Sequence, residues 1–500
     1  MDRPFAAKRL ASKSRVGRSN SCSMFLMLKK VPCGLHVATN ARPFLRRRTN
    51  SGSDRAVATN AAVDSIGWLG GLEDVDESKL KIESGDNSSV VASAPVADGE
   101  VVASIPGSVW LTRQAALKSP IGQYIETLDP WLSIAIFLIH ERKNKESMWA
   151  DYIELLCSKP PSTPILWTDS EVELLKGTQI WESVYSYRNF YKETYEALRD
   201  QIFEPNADVF PLNEYSQEDF LWAACIVRAL SHSPLDGENI AIVPTLESLA
   251  HKRGERANVN LEIRSGGLFG GSESLSIKAA RAIAQGTPVA FDYAPTKTEG
   301  HVLLNHGTID PEAPGTFAIT LVLPEDDVFY DDKLDVLEMN NLEASSEFVL
   351  RTGSPPEDNM IAMLRLINLE GPDAFLLESI FRNEIWDHLS LPISEPNERA
   401  VYESMASGCL SVLQSCPTRI EEDIDLLKST TNTMSTEAMA ISIRLGEKEV
   451  LEAALRFFEG RMSQLEDFEY YSERRLKRLG LLDKEGKPTD WDSFFEDGIA

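Results

Sequence analysis

The segment from residue 244 to residue 310 decides how this chain is interpreted. It begins PTLESLAHKRGERANVN (residues 244–260) and ends TPVAFDYAPTKTEGHVLLNHGTID (residues 287–310). His251, Asn258 and Tyr293 lie here in turn-rich sequence between short apolar runs that are typical of strands. A His, an Asn pair and a late Tyr therefore lie in the turns of a region that is predicted to be rich in strands.

The sequence on either side predicts a change from strands to helices and back. KLKIES, SSVVASAP and EVVASIP, with ADG as a turn, predict a hairpin region before residue 111. TDSEVELLKGT predicts a helix start, with Thr168 or Asp169 as the N-cap. ENIAIVP, NVNLEIR and TPVAFDY return to strand patterns, and helical periodicity dominates after about residue 325.

These patterns predict an α+β protein of several parts. We expect a β-fold over residues 66–325 with an inserted helical subdomain at about 114–230. An all-α C-terminal domain is expected over 326–485, followed by an acidic tail at 486–500.

Charge is distributed unevenly along the chain. The net charge is −27, yet residues 1–56 hold 13 Lys and Arg against 2 Asp and Glu. An Arg- and Ser-rich leader with almost no acid is typical of an organellar transit peptide, so we assign residues 1–60 to one. A disordered basic tail is the alternative. The strongly acidic remainder argues against nucleic-acid binding, because phosphate contacts require a basic face.

Cysteine spacing and the length of the apolar runs restrict the class of protein further. The six cysteines form no CxxC pair, so neither a zinc cluster nor a disulfide framework is expected, and no metal is predicted. The longest apolar run, WLSIAIFLI at 131–139, is about half the length of a membrane helix and fits a buried helix better. The sequence leaves the oligomeric state open.

The order of these motifs resembles the SET-domain protein-lysine methyltransferases of the Rubisco large-subunit methyltransferase branch. VPTLESLAHK is similar to a Val-Pro-x-x-Asp-x-x-Asn-His segment of that family, and VAFDY with VLLNHGTID is similar to its paired Tyr motifs. FLWAACIVRAL resembles its Phe-x-Trp-Ala helix, and PNERAVYESM resembles its substrate-binding domain. The resemblance implies a SET-type β-fold, S-adenosylmethionine as cofactor and a lysine-bearing protein as partner.

The resemblance also implies roles for individual residues. Tyr293 matches the late catalytic Tyr, which also contacts the cofactor, and the alternative is an aromatic that closes a strand against the core. His251 and Ala250 match the Asn-His pair of the cofactor turn. Asn258 matches an Asn that stabilises the threaded segment at the cofactor site; the alternative is local turn chemistry.

Three further positions complete the implied site. Ser89 falls where a Gly-x-Gly approaches the cofactor. His306 stands where the family has a second Tyr in the lysine channel, and a surface position is equally compatible with its pattern. Glu247 matches the Asp of the same family segment as His251 and is assigned to substrate binding with His306.

Four departures from the family pattern bear on the chemistry. Asn87-Ser88-Ser89 replaces Gly-x-Gly, and Ala250 replaces the Asn before His251. Leu230 replaces an Arg that meets the cofactor carboxylate, a loss of about 1.5–3 kcal/mol of binding free energy. Gly286-Thr287-Pro288 replaces a Gly-Glu pair before the Tyr strand.

Three functions remain open on these grounds. The first is an S-adenosylmethionine-dependent protein-lysine N-methyltransferase acting on a plastid protein, with Rubisco or another plastid protein as candidate partner. The second is a non-catalytic SET-fold binding protein that has lost the cofactor. A protein-histidine methyltransferase is the third. The resemblance favours a plastid over a mitochondrial location.

Overall fold

The computed structural model describes residues 24–25, 79–83, 89–235, 239–264, 273–381 and 384–487. The described strands are β1 Met24–Phe25, β2 Leu80–Glu83, β3 Ser89–Ala92, β4 Val101–Pro106, β5 Leu111–Thr112, β6 Ser231–Leu235, β7 Asn239–Ile242, β8 Ala250–His251, β9 Val259–Arg264, β10 Ser274–Ala279, β11 Ala290–Phe291, β12 Thr316–Val322 and β13 Ser345–Arg351. Most of the predicted transit peptide and the acidic tail from residue 488 lie outside the described residues.

The α-helices occupy two stretches of the chain, joined by the strands. Those before β6 are α1 Arg113–Lys118, α2 Gly122–Ile125, α3 Pro130–Glu141, α4 Ala150–Ser158, α5 Asp169–Val172, α6 Trp181–Leu198 and α7 Gln217–Leu230. Those after β11 are α8 Glu299–His306, α9 Tyr330–Met339, α10 Asp358–Ile367, α11 Ile385–Leu389, α12 Glu395–Ser415, α13 Ile420–Ser429, α14 Thr436–Met462 and α15 Tyr471–Arg478.

The N-terminal strands form small sheets rather than one large one. β10 lies between β4 and β9, β7 lies between β5 and β6, and β2 pairs with β3, all antiparallel. β8 and β11 are parallel, with Ala250 opposite Ala290 and His251 opposite Phe291. The turn before β4 contains Gly99 at φ 73°, a conformation that glycine adopts without steric cost.

The helices α1 to α7 are inserted between β5 and β6. α3 is buried along most of its length, because its apolar residues leave no polar face. The predicted helix start is confirmed: the Thr168 side chain accepts from the Glu171 backbone N–H, and the Glu171 carboxylate accepts from the Thr168 N–H. This reciprocal pair is a capping box, which satisfies two backbone donors at the start of α5.

Two hydrophobic cores divide the described chain. The first joins the β-sheets to the inserted helices, and the second begins at Phe317 and ends at Tyr471. α14 contributes to both, with Ile443 in the first core and Phe458 in the second. A Cβ on Gly315 would overlap the carbonyl oxygen of Gly446 on this helix, so only glycine allows β12 to start so close to α14.

The predicted α+β class and helical C-terminal region are confirmed, with one addition. β13 lies within that region and pairs antiparallel with β12, placing Phe317 opposite Leu350 and Ile319 opposite Phe348. The inward side chains of both strands pack in the second core. β12 was expected to belong to the N-terminal β-fold; its alternating apolar face instead covers the C-terminal helices.

None of the helices in the described ranges combines the length and the apolar character that crossing a bilayer requires.

Candidate functional site

Tyr293 lies two residues beyond β11 and is held at its hydroxyl. Its phenol donates a hydrogen bond of 2.7 Å to the Leu249 carbonyl oxygen, immediately before β8. The parallel pairing of β8 and β11 brings these two segments together. The predicted catalytic residue is therefore fixed between two extended segments that are distant in sequence.

Three rings surround the Tyr293 phenol. The ring centroids of Phe291 and His251 lie 4.4 Å and 5.1 Å away, and His306 approaches edge-on at 5.2 Å. Burial raises the pKa of Tyr293, and the negative charge of Glu247 raises it further. The phenol therefore stays protonated near neutral pH, and its proton is committed to Leu249.

His251 supports Tyr293 from inside the fold. Its side chain is 0% exposed, and its Nδ1 accepts the Tyr293 backbone N–H at 3.3 Å. Its Nε2 lies 3.6 Å from Glu299 Oε1 and makes no hydrogen bond in the described structure. The imidazole thus positions the backbone of Tyr293.

Arg253 and Glu299 form the charged layer behind His251. Arg253 contacts the Glu299 carboxylate directly, and it also donates to Asp292 Oδ1 at 3.1 Å. Burial by itself raises the pKa of Glu299, but His251 and the positive charge of Arg253 lower it below its usual value. Glu299 therefore remains ionised and holds the loops on both sides of Tyr293.

Asn258 connects its own loop to the segment that contains Pro288 and Ala290. Its Nδ2 donates to the Pro288 carbonyl at 2.8 Å, and its Oδ1 accepts the Ala290 N–H at 2.9 Å. Its own backbone N–H donates to the Ala290 carbonyl at 2.8 Å. The amide is occupied by backbone groups, so the side chain stabilises β11 instead of turning back on its own loop.

His306 is at the end of α8 and is tied to α7. Its Nδ1 lies 2.7 Å from the Ala229 carbonyl oxygen, and its ring packs edge-on against Tyr293. It is half-buried, and this burial lowers its pKa. The structure therefore places His306 beside the predicted catalytic Tyr, and the alternative of a free surface position is wrong.

Glu247 faces the inserted helices. Its Oε2 accepts a hydrogen bond of 3.2 Å from the hydroxyl of Tyr152, which is fully buried on α4. Burial raises the pKa of Tyr152 well above its usual value, and the charge of Glu247 adds to the rise. The carboxylate thus connects the turn before β8 to α4, and its charge acts on Tyr293.

Ser89 begins β3, the strand next to the segment that leads to Tyr293. The Val289 N–H donates to the Val90 carbonyl at 2.9 Å, and the Ala92 N–H donates to the Thr287 carbonyl at 3.0 Å. Ala250 donates its N–H to the Val289 carbonyl at 3.0 Å. The backbone positions of Ser89 and Ala250 therefore flank one strand, while Asn87 and Ser88 lie outside the described residues.

Leu230 packs at the margin of the first core and carries no charge. Arg228, two residues earlier, points elsewhere: its guanidinium carbon lies 3.7 Å from the centroid of the Tyr187 ring, and its Nη2 donates to Asn305 Oδ1 at 2.7 Å. Arg228 is thus engaged with α6 and α8 and does not take the place of the absent Arg.

Sequence analysis missed several groups of this site. Thr245 has φ 82°, is 1% exposed, and its Oγ1 has no hydrogen-bond partner among the described residues. Nothing in the sequence points to this strained conformation, because β-branched residues rarely adopt positive φ. Arg253 and Glu299 could have been suspected from opposite charges in flanking loops. Tyr152 could not, since it comes from a helix about 140 residues before Tyr293.

The described residues contain no group of three or more His, Cys, Asp and Glu that could hold a metal ion.

Comparison with known proteins places this geometry in a family. The Rubisco LSMT substrate-binding family model matches residues 324–451. The chain is 34% identical over 406 residues to the chloroplastic [fructose-bisphosphate aldolase]-lysine N-methyltransferase of Arabidopsis thaliana, covering 81% of this chain and 84% of that protein. It is also 34% identical to the chloroplastic Rubisco large-subunit N-methyltransferase of Nicotiana tabacum, over 81% of this chain and 82% of that one.

A solved structure shows the same fold. The crystal structure of the SET domain of LSMT bound to lysine and AdoHcy superposes with a TM-score of 0.71 and 32% identity, covering 87% of this chain and 97% of that chain. The predicted SET-type fold is confirmed. The chain therefore belongs to the Rubisco large-subunit methyltransferase-like family of SET-domain protein-lysine N-methyltransferases, enzymes whose cofactor is S-adenosylmethionine.

Proposed function

We propose that this protein transfers a methyl group from S-adenosylmethionine to a lysine side chain of a plastid protein. The observation that carries the proposal is the Tyr293 hydroxyl, fixed on the Leu249 carbonyl between β8 and β11. Family membership supplies the reaction class, and the geometry supplies the residue that would perform it.

The residues around Tyr293 fit a methyl-transfer site. The reaction aligns a sulfonium methyl group with a neutral amine, so it depends on alignment more than on strong acid–base catalysis. The bound cofactor would supply the methyl group. Tyr293, with its proton committed, offers oxygen lone pairs that orient the amine, and His251 keeps the Tyr293 backbone in place.

The residues of the predicted cofactor pocket fit S-adenosylmethionine only in part. Thr245, whose buried hydroxyl has no partner among the described residues, lies in the turn that leads to Ala250 and His251. The family resemblance assigns cofactor contacts to backbone groups of this turn. An orphaned buried hydroxyl is compatible with a polar ligand nearby. On the carboxylate side, Leu230 offers no charge. We infer that the chain binds S-adenosylmethionine through these backbone groups, with a weak anchor for its carboxylate.

The names of the relatives support the proposed substrate class and location. Two of the similar proteins are named as chloroplastic enzymes acting on aldolase and on the Rubisco large subunit. The acidic character of the chain beyond residue 56 suits a partner whose lysine lies in a basic segment. We therefore propose a plastid protein as substrate, captured by the C-terminal domain.

Two measurements test the proposal. Titration calorimetry of the full-length chain with S-adenosylmethionine is expected to give a saturable heat; none at millimolar ligand would sink the enzyme interpretation. Incubation with plastid proteins, followed by mass spectrometry, is expected to locate methyl groups on lysine. Tyr293→Phe should greatly reduce that methylation, and a native rate in this variant would remove Tyr293 from its assigned role.

A second function is favoured by one observation. Leu230 replaces a cation and Arg228 is already engaged, so the site retains its scaffold without a carboxylate anchor. A non-catalytic binding protein would keep the C-terminal domain and ignore the cofactor. Capture of the partner that is unchanged by S-adenosylmethionine, together with no binding of that ligand, would favour this alternative.

A further inference from the structure

Arg228 carries a positive charge that no carboxylate neutralises among the described residues. It lies on α7 and is half-buried. Arg253 and Arg365 are paired instead: Arg253 contacts the Glu299 carboxylate, and Arg365 donates to both oxygens of Glu398. Removing a charge from water costs free energy that an opposite charge offsets, so Arg228 lacks the compensation that these two arginines have.

Neutral groups surround the Arg228 guanidinium. Its carbon Cζ lies 3.7 Å from the centroid of the Tyr187 ring, and its Nη2 donates to Asn305 Oδ1 at 2.7 Å. Burial lowers the pKa of Arg228, but the Tyr191 and Tyr187 side chains raise it above its usual value. The side chain therefore stays charged, and a ring face and an amide oxygen stabilise the charge without neutralising it.

The side chains of Tyr187, Tyr191, Arg228 and Asn305, here called the Arg228 cluster, offer hydrogen-bond donors. Arg228 Nε is buried and makes no hydrogen bond among the described residues. The Asn305 oxygen is occupied by Arg228, which leaves the amide nitrogen as a donor. Burial raises the pKa of Tyr191 to about 12, so its hydroxyl keeps its proton. A positive charge among donors fits an anion, and the planar fork of Arg matches the two oxygens of a carboxylate.

The Arg228 cluster lies beside the predicted catalytic residue. Asn305 precedes His306 on α8, and the His306 ring meets the Tyr293 ring edge-on with centroids 5.2 Å apart. Burial lowers the pKa of His306, and the positive charge of Arg228 lowers it further because the two side chains are close. An anion held by Arg228 therefore lies near a lysine that reaches Tyr293.

The position of Arg228 on α7 separates it from the cofactor anchor that the family resemblance assigns to position 230. An α-helix turns about 100° per residue, so side chains two residues apart project about 160° from each other. Leu230 packs at the margin of the first core, whereas Arg228 reaches α6 and α8. The anion that fits Arg228 is therefore a different one from the cofactor carboxylate.

We propose that the Arg228 cluster binds a carboxylate side chain of the substrate protein, an Asp or Glu close in sequence to the methyl-acceptor lysine. The inference rests on the proposed function and adds a sequence preference to it, a lysine with an acidic neighbour. The chain beyond residue 56 is strongly acidic, so it repels such a neighbour unless a local positive charge receives it. Arg228 supplies that charge and makes the preference specific.

The test measures the binding of short peptides to the full chain saturated with S-adenosylhomocysteine. The reference is a nine-residue glycine peptide with a central lysine, and each of eight variants replaces one glycine by Glu. We expect Glu at one or two of these positions to tighten binding about ten- to hundredfold at pH 7.5, the size of a charge-assisted hydrogen bond. Gln at the same positions should not tighten binding, because it carries no charge.

Variants of the protein identify the group that receives the carboxylate. Arg228→Gln should abolish the gain from Glu, and Arg228→Lys should keep part of it, because Lys keeps the charge without the planar fork. Arg142 provides a matched control: its guanidinium carbon lies 4.8 Å from the centroid of the Trp222 ring, and it is already paired with Asp219. Arg142→Gln should therefore leave the gain from Glu unchanged.

Three outcomes overturn the inference while the proposed function stands. The first, no gain from Glu at any position in wild type or an equal gain from Gln, applies even if the Arg228 variants do not fold. The second is a gain that survives in Arg228→Gln. The third is an Arg228→Gln variant in which S-adenosylhomocysteine loses its advantage over 5′-methylthioadenosine, which lacks the carboxylate. Absence of S-adenosylhomocysteine binding to wild type overturns the proposed function, and the inference with it.

Discussion

The buried Arg365, Glu398 and Tyr402 side chains of the C-terminal region are paired with one another, whereas two buried polar atoms around Tyr293 have no partner among the described residues. Arg365 donates to both carboxylate oxygens of Glu398 at 2.6 and 2.8 Å, and Tyr402 donates to the same carboxylate at 2.6 Å. Near Tyr293, the Thr245 hydroxyl and His251 Nε2 are buried without a hydrogen bond in the described structure.

This difference indicates that the paired cluster serves stability, whereas the unpartnered atoms belong to a region that serves function. A buried ion pair with satisfied geometry holds two helices in a single arrangement. Unsatisfied buried atoms and a positive φ cost free energy, and they persist where surrounding structure or a ligand compensates. The cluster of Arg365, Glu398 and Tyr402 is therefore expected to be destabilised by loss of a partner, and the Tyr293 site is expected to gain from a ligand.

Breaking the buried pair should have the largest effect. Arg365→Met leaves the Glu398 charge buried and unpaired, so the free energy of unfolding should fall by about 3–5 kcal/mol. Urea denaturation at pH 7 measures this loss. The double variant Arg365→Met/Glu398→Met removes both charges and should lose clearly less. Equal losses in the two variants would mean that packing, and not the unpaired charge, sets the cost.

A Leu230→Arg variant tests whether the cofactor carboxylate lies near this position and lacks a cation there. Leu230→Arg should tighten S-adenosylmethionine binding about ten- to hundredfold, because a charge-assisted contact contributes about 1.5–3 kcal/mol. Calorimetry measures the affinity, and Leu230→Met controls for the change in packing. An unchanged affinity in a variant that folds normally would show that the carboxylate does not lie near this position.

Glu447 is a buried carboxyl group on α14, the helix that contributes to both hydrophobic cores, and its ionisation can be tested. It lies on α14 and accepts the Gln179 backbone N–H at both oxygens, at 3.0 and 3.3 Å. Burial raises its pKa to about 8. The folded state therefore keeps a proton that the unfolded chain releases above about pH 4.5, and stability contributed by this group falls as pH rises through that window.

We expect the free energy of unfolding to change with pH at a different slope in wild type and in Glu447→Gln. Glu447→Gln cannot ionise, so its free energy of unfolding should lack the decrease of at most about 1.4 kcal/mol per pH unit that this residue contributes. Denaturation at pH 5, 6.5 and 8 compares the two proteins. Parallel pH profiles for wild type and variant would contradict the raised pKa.

The smallest effect concerns strain at Thr245. Thr245→Gly keeps the positive φ but removes its steric cost, together with a hydroxyl that has no partner among the described residues, so it should raise the free energy of unfolding by about 1 kcal/mol. Asn341 also has positive φ, at 57°, in the C-terminal region, and Asn tolerates this conformation. Asn341→Gly should therefore change stability by only a few tenths of a kcal/mol. A destabilised Thr245→Gly would mean that the side chain packs favourably.

Sequence analysis predicted local features of the fold but not the long-range pairing of strands. The capping box at Thr168 and the helical periodicity of the C-terminal region depend on neighbouring residues, and both were predicted. The pairing of β13 with β12 was not, because strand partners are chosen by tertiary packing and SSEFVLR carries only a short apolar run. For the site, the sequence indicated that His251, Asn258, Tyr293 and His306 belong together, without their contacts.

The sequence by itself determined the family, the order of strands and helices, and the identity of the polar residues near Tyr293, since these depend on residue type and spacing. The tertiary structure alone decided which atoms are left to act. It committed the Tyr293 proton to Leu249, occupied the Asn258 amide, directed Arg228 to Tyr187 and tied His306 to Ala229. The physical reason is that hydrogen-bond partners come from segments that meet only when the chain folds.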